Sequence, residues 1–164
     1  MNSIDKVNKL SKSDFISIFG NVFEKTESVA LKVFELKPFK DFDDIISKML
    51  KIYEEYDRDK ILEILNLHPE LAVAKKLTSE SKLEQTSAKL NECSNEEYEE
   101  FKKLNLEYKK KFKFPFIIAV KGKNKEEILN SFRQRITNNI NLEFEEAKRQ
   151  VKKIASFRLS EIIK

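Results

Sequence analysis

One histidine, one cysteine, two glycines, three prolines and no tryptophan stand in a chain of 164 residues, and each scarcity excludes something. The lone cysteine, Cys93, rules out an internal disulfide and any thiolate metal cluster, and it fits a reducing compartment. With His68 as the sole histidine, the usual His and Cys ligands of a zinc site are not there to be assembled, and no metal is expected. So few glycines and prolines leave few tight turns, which argues against hairpins and for helices joined by short polar loops. No apolar run approaches the roughly 18 residues of a membrane span, and the opening MNSIDKVNKL lacks the apolar core of a signal peptide, so a soluble, cytoplasmic protein is expected. Arginine is scarce as well: Arg58, Arg133, Arg135, Arg149 and Arg158 are the only ones among 32 basic residues, so the position of each planar fork matters.

Charge and pattern are what the chain does have. The 32 basic and 28 acidic residues leave a net charge of +4 spread over a highly charged surface, a poor basis for nucleic-acid binding, at which only Lys109 to Phe114 hints. Apolar residues recur at helical spacing nearly throughout. Phe15, Ile18, Phe19, Val22 and Phe23 follow Ser13; Val29 to Leu36 form a shorter segment closed by Pro38; Ile45, Met49, Tyr53 and Tyr56 follow Asp41. Ile61, Leu62, Ile64 and Leu65 lead to a break at His68-Pro69. Ser94 with Glu97, and Asn124 with Glu127, are capping signatures that open two further helices. The last helix, from about Leu142, places Arg158 on its apolar stripe, where an unpaired charge would cost several kcal/mol, so Arg158 requires an anion. Ile117 to Val120 run apolar without helical period, too short to make a sheet. One compact all-α domain over residues 1–164 is expected.

Each chemistry-bearing residue has two readings. Pro69 suits the first turn of a helix continuing through Glu70, Leu71 and Ala74, which sets His68 at that helix's positive end, where neutral imidazole is favoured until an anion binds. His68 is then either a cap or packing residue, or a proton donor beside an anion site. Ser81-x-x-Glu84 reads as a capping box starting the helix through Leu83 and Leu90, and a capped first turn also presents groups to a ligand. Phe116 to Val120 are core, or they offer backbone donors and acceptors to a flat heterocycle. Arg158 either pairs with an internal acid or binds a substrate anion. Cys93 has no second histidine to activate it.

Together, LNLHPELA at 65–72, Ser81-x-x-Glu84-Gln85-x-x-Ala88, Leu104-Asn105-x-x-Tyr108-x-x-Lys111-Phe112-x-Phe114-Pro115-Phe116-Ile117-Ile118-Ala119-Val120, and KIASFRL at 153–159 resemble the OHCU decarboxylases, in family order and spacing. That family acts on 2-oxo-4-hydroxy-4-carboxy-5-ureidoimidazoline, the last intermediate between urate and allantoin. The resemblance implies an all-α, homodimeric, cofactor-free enzyme that releases carbon dioxide and leaves (S)-allantoin. It implies His68, Glu84 and Arg158 as catalytic residues, and Pro69, Ser81, Lys82, Leu83, Glu84, Gln85, Phe116, Ile117, Ile118, Ala119 and Val120 as substrate-contacting positions. Lys113 and Lys89 stand where the family carries glycine, and lysine avoids the positive φ that glycine tolerates. Two rival expectations are a non-catalytic helical interaction module, with His68, Glu84 and Arg158 scattered, and a related decarboxylase acting on another small carboxylate.

Overall fold

The computed structural model describes residues 3–73 and 77–164, and within them the chain forms nine helices and no strand, as an all-α reading requires. The helices gather into two compact units, one of residues 1–67 and 152–164, the other of residues 68–151.

The first unit is built from α1 (Ile4–Lys9), α2 (Lys12–Phe19), α3 (Ser28–Phe34), α4 (Phe42–Glu54), α5 (Arg58–Leu67) and the end of α9 (Ile140–Ile163). α2 starts two residues earlier than the apolar pattern behind Ser13 implies. Ser11 accepts the Asp14 N–H as its cap, and Val22 and Phe23 lie beyond the helix end, buried in the turn that follows. A core residue in a loop keeps an apolar identity without helical geometry, so spacing overextends the helix. Asp41 caps α4 as its sequence implies, accepting the Asp44 N–H at 2.8 Å. Phe15 packs against Phe19, Phe34 and Phe39, and Phe23 stacks on Tyr53. Asn8 holds the Phe39 backbone from both sides, its amide donating to the carbonyl at 2.8 Å and its oxygen accepting the N–H at 2.7 Å.

Arg158 is 6% exposed in this unit and has the anion its position demands. Its Nη2 donates to Glu24 Oε2 at 2.8 Å, and its Nη1 donates to the Asn21 carbonyl at 2.8 Å.

The second unit contains α6 (Ser79–Ser87), α7 (Asn95–Phe112), α8 (Lys125–Arg135) and the first half of α9. Ser94 with Glu97, and Asn124 with Glu127, form complete capping boxes. Tyr108 lies edge-on to Phe114, Phe116 and Phe132, and Phe116 stacks on Phe132 at 3.9 Å. Within this apolar surround, the fully buried Glu143 carboxylate collects three donors: Tyr108 OH at 2.6 Å, Arg135 Nε at 2.8 Å and Asn138 Nδ2 at 3.1 Å. Burial first, then the hydrogen bond to Glu143 and its charge, hold the Tyr108 phenol far above its ordinary pKa.

Lys113 and Lys89 both take the left-handed conformation that glycine would, with φ of 69° and 60°. Lys113 ends α7, and Lys89 ends α6 in a Schellman turn in which the Leu90 N–H reaches the Gln85 carbonyl and the Lys89 N–H reaches that of Thr86. The backbone before the Phe116 segment is therefore kept at the cost of strain. Lys113→Gly is expected to stabilise the fold by about 0.5–1 kcal/mol, read as an increase in the urea midpoint.

Tyr108 sets an alkaline limit. Its folded pKa lies above the unfolded value near 10, so its contribution is complete below about pH 10 and is lost as pH rises past it, where the unfolded chain releases the proton first. Denaturation midpoints measured up to about pH 11 should fall along this limb. Tyr108→Phe should flatten the limb while lowering neutral stability by about 1–3 kcal/mol through the lost bond to a buried carboxylate.

Candidate active site

His68 follows directly on the last residue of α5 and is 8% exposed. Residues 68–73 are not helical, so the helix expected to open at Pro69 is absent through Val73, and Ala74 lies outside the described residues. Two local facts explain the difference. The residue before a proline is driven out of the helical region, which stops α5, and Ala72 has φ of 55°, which no right-handed helix accommodates. His68 thus follows the C-terminal end of α5 and does not open a helix N-terminus.

The chain beyond Pro69 is held by side chains. Gln85 Nε2 donates to the Glu70 carbonyl at 3.1 Å while its Oε1 accepts the Ala72 N–H at 3.1 Å, and Asn105 Nδ2 donates to the Leu71 carbonyl at 3.0 Å. Gln85 was expected as a substrate contact; both ends of its amide are engaged by this loop.

α6 begins earlier than the Ser81-x-x-Glu84 pattern suggests. Thr78 is its cap, accepting the Ser81 N–H at 3.3 Å, and the helix closes at Ser87, short of Leu90. Thr78 competes for the same role three residues upstream, and Ser81 is left at the third helical position with its side chain buried. Ser81, Gln85 and Ala88 share the buried face with Glu84 half-buried at its edge, whereas Lys82 and Leu83 point outward, Leu83 being 72% exposed.

Phe116, Ile117, Ile118, Ala119 and Val120 are all buried, and none belongs to a helix or a strand. Their backbone is bonded piecemeal. The Ile117 carbonyl accepts from Arg135 Nη1 at 2.7 Å, the Ala119 N–H donates to Gln150 Oε1 at 2.9 Å, and the Val120 carbonyl accepts from the Lys123 N–H at 3.0 Å. Arg135 also lies over the Phe116 ring, 4.4 Å from its centroid. The core reading of this segment holds for its side chains, and at least these three backbone groups are committed within the protein.

His68, Pro69, the α6 residues and Phe116 to Val120 thus belong to the second unit, and Arg158 belongs to the first, where it pairs with Glu24. Cys93 is half-buried, its thiol donates to the Leu90 carbonyl at 3.3 Å, and burial followed by the Glu97 charge pushes it up, away from the nucleophilic thiolate. Among the described residues no cluster of His, Cys, Asp and Glu gathers as metal ligands, and no helix is long and apolar enough to cross a membrane. Sequence reasoning missed the supporting roles of Asn105, Arg135, Glu143 and Gln150. The signal was present for the first two: Asn105 lies on the stripe of Phe101, Leu104 and Tyr108, and Arg135 on that of Ile128 and Phe132, and polar groups on a buried stripe require partners.

The sequence pattern of the OHCU decarboxylases matches residues 8–160. A 2-oxo-4-hydroxy-4-carboxy-5-ureidoimidazoline decarboxylase of Haloferax volcanii is 35% identical over 159 residues, which cover 97% of this chain and 95% of that protein. A uric acid degradation bifunctional protein of Bacillus sp. (strain TB-90) is 38% identical over 164 residues; the chain spans only 33% of its length. Among solved structures, an (S)-allantoin synthase superposes with a TM-score of 0.78 at 24% identity, covering 98% of this chain and 54% of that one. An OHCU decarboxylase crystallised in the presence of (S)-allantoin superposes with a TM-score of 0.74 at 23% identity, covering 89% and 97%, and these two likenesses speak to the fold. Matched almost from end to end, with all-helical architecture in common, the chain belongs to the OHCU decarboxylase family.

Proposed function

We propose that this protein decarboxylates 2-oxo-4-hydroxy-4-carboxy-5-ureidoimidazoline to (S)-allantoin and carbon dioxide, using no cofactor, as the step that ends the conversion of urate to allantoin. The observation that carries the reading is the placement of the chain's sole histidine, buried on a loop fastened by side-chain amides, in a chain whose family match runs through it. The activity of the bifunctional relatives beyond the matched third is not part of it.

The substrate's own chemistry makes the reaction feasible. The carbon that loses carbon dioxide bears a hydroxyl and adjoins a conjugated ring, so the bonding pair left behind is absorbed as an enolate-like anion. One proton then replaces the carboxylate in the net balance. The protein must orient the departing carboxylate, stabilise the developing charge and deliver the proton to one face. In this reading His68 donates that proton, and Glu84 fixes the substrate hydroxyl or the orientation of His68. Arg158 anchors an anionic or ureido oxygen; because Glu24 already balances its guanidinium, what Arg158 brings is direction more than net charge. Pro69, residues 81–84 and residues 116–120 contact the substrate, and Gln85, expected among these contacts, acts through the loop that both ends of its amide hold. A homodimer in the cytoplasm completes the proposal, the lone cysteine fitting a reducing compartment.

The test generates the short-lived substrate from urate with a urate oxidase and a hydroxyisourate hydrolase, and follows circular dichroism after this protein is added. Rapid growth of the (S)-allantoin signal is expected, with His68→Asn slowed by about 10²–10⁴-fold while remaining folded. Decay at the spontaneous rate to racemic allantoin, with the wild-type protein folded, would overturn the proposal.

A further inference from the structure

We infer that Gln85 and Asn105 are positioning residues: they bolt down the three residues after His68-Pro69, and so fix the orientation in which the imidazole is presented. The inference rests on the reading of His68 as proton donor. The loop has little of its own to hold it. α5 ends at Leu67, Pro69 has no N–H, and Ala72 takes a left-handed conformation that alanine disfavours, so local preference alone would not produce this path. What imposes it comes from two different helices. Gln85 of α6 grips Glu70 O and Ala72 N, and Asn105 of α7 grips Leu71 O between them, so three successive residues are held. Because Gln85 uses both ends of its amide, only one orientation of that amide satisfies both contacts. Asn105 is 4% exposed, and its Oδ1 has no hydrogen-bond partner among the described residues. The hydrogen bond that ties this asparagine into the fold among the described residues is the one to Leu71. A conformation disfavoured locally and overdetermined from outside is the kind found where geometry matters to function. Misplacing a catalytic group by about an ångström can cost on the order of a hundredfold in rate.

The test exploits the single histidine, whose imidazole Cε1–H resonance needs no assignment in the full-length protein. Gln85→Met and Asn105→Leu remove the grips with little change of volume, and far-UV circular dichroism reports whether each variant folds. In the wild type one sharp resonance is expected; in each folded variant it should shift, broaden or double. Turnover should fall about tenfold or more with KM changed far less, and the double variant should lose less than the product of the singles, because both grips act on one loop. Should Gln85→Met fail to fold, Asn105→Leu, which leaves α6 untouched, carries the test. An imidazole signal unchanged in the folded variants would overturn the inference. A displaced signal with undiminished turnover would uphold the grip on the loop and instead remove His68 from the catalytic step, so the two readings fail separately.

Discussion

A buried stretch of chain that is neither helix nor strand must find partners for its backbone groups one at a time, because an unmatched buried N–H or C=O costs about as much as a lost hydrogen bond. The second unit of this protein holds two such stretches, residues 116–120 and, with His68, Leu71 and Ala72 buried, residues 68–73, and polar side chains of the helices serve both. Gln85 and Asn105 bind residues 68–73; Arg135 and Gln150 bind residues 116–120. The same device holds Phe39 in the first unit, where Asn8 meets both its N–H and its carbonyl. Helices supply the scaffold, and side-chain amides and one guanidinium shape what lies between them.

Arg135 can serve Ile117 only because something balances its charge in an apolar surround. Glu143 does so, and Tyr108 and Asn138 supply its remaining bonds. A buried ion pair is a weak source of net stability, since desolvating both charges offsets their attraction. What it contributes is definition: with the carboxylate saturated, the guanidinium has one geometry in which it also reaches the Ile117 carbonyl and covers the Phe116 ring. Arg158 with Glu24 repeats the arrangement in the first unit. Removing either acid strands a buried cation, which makes these pairs more consequential when broken than when formed.

Much of this was legible in the sequence because it depends on short-range chemistry. The caps at Asp41, Ser94 and Asn124 follow from a side-chain oxygen meeting an N–H three residues on, and they were found in place. The buried station of Arg158 follows from the stripe of Phe144, Ala147, Val151, Ile154 and Leu159, of which all but the half-buried Ile154 are buried, and its need of an anion follows from desolvation. The misreadings have two causes. Pro69 looks like a helix opening, but Gln85 and Asn105, distant in sequence, take the backbone groups a helix would have used; Ser81 looks like a cap and Ser13 like a boundary, but Thr78 and Ser11, equally local oxygens a few residues upstream, cap instead. Lys113 shows the converse. Lysine disfavours positive φ, yet the surrounding fold imposes it at Lys113. The motif containing Asn105 was visible, but its role was not, because the carbonyl it serves lies 34 residues away in sequence.

We propose that His68 and the segment from Phe116 to Val120 face the product. Titrating the full-length protein with (S)-allantoin, and in parallel with (R)-allantoin, while recording the His68 imidazole and the backbone amides, tests it directly. Saturable shifts at His68 and at the amides of Ile118 and Val120, with the (S) form favoured, are expected. Shifts confined to other residues, or none at concentrations that saturate turnover inhibition, would contradict it.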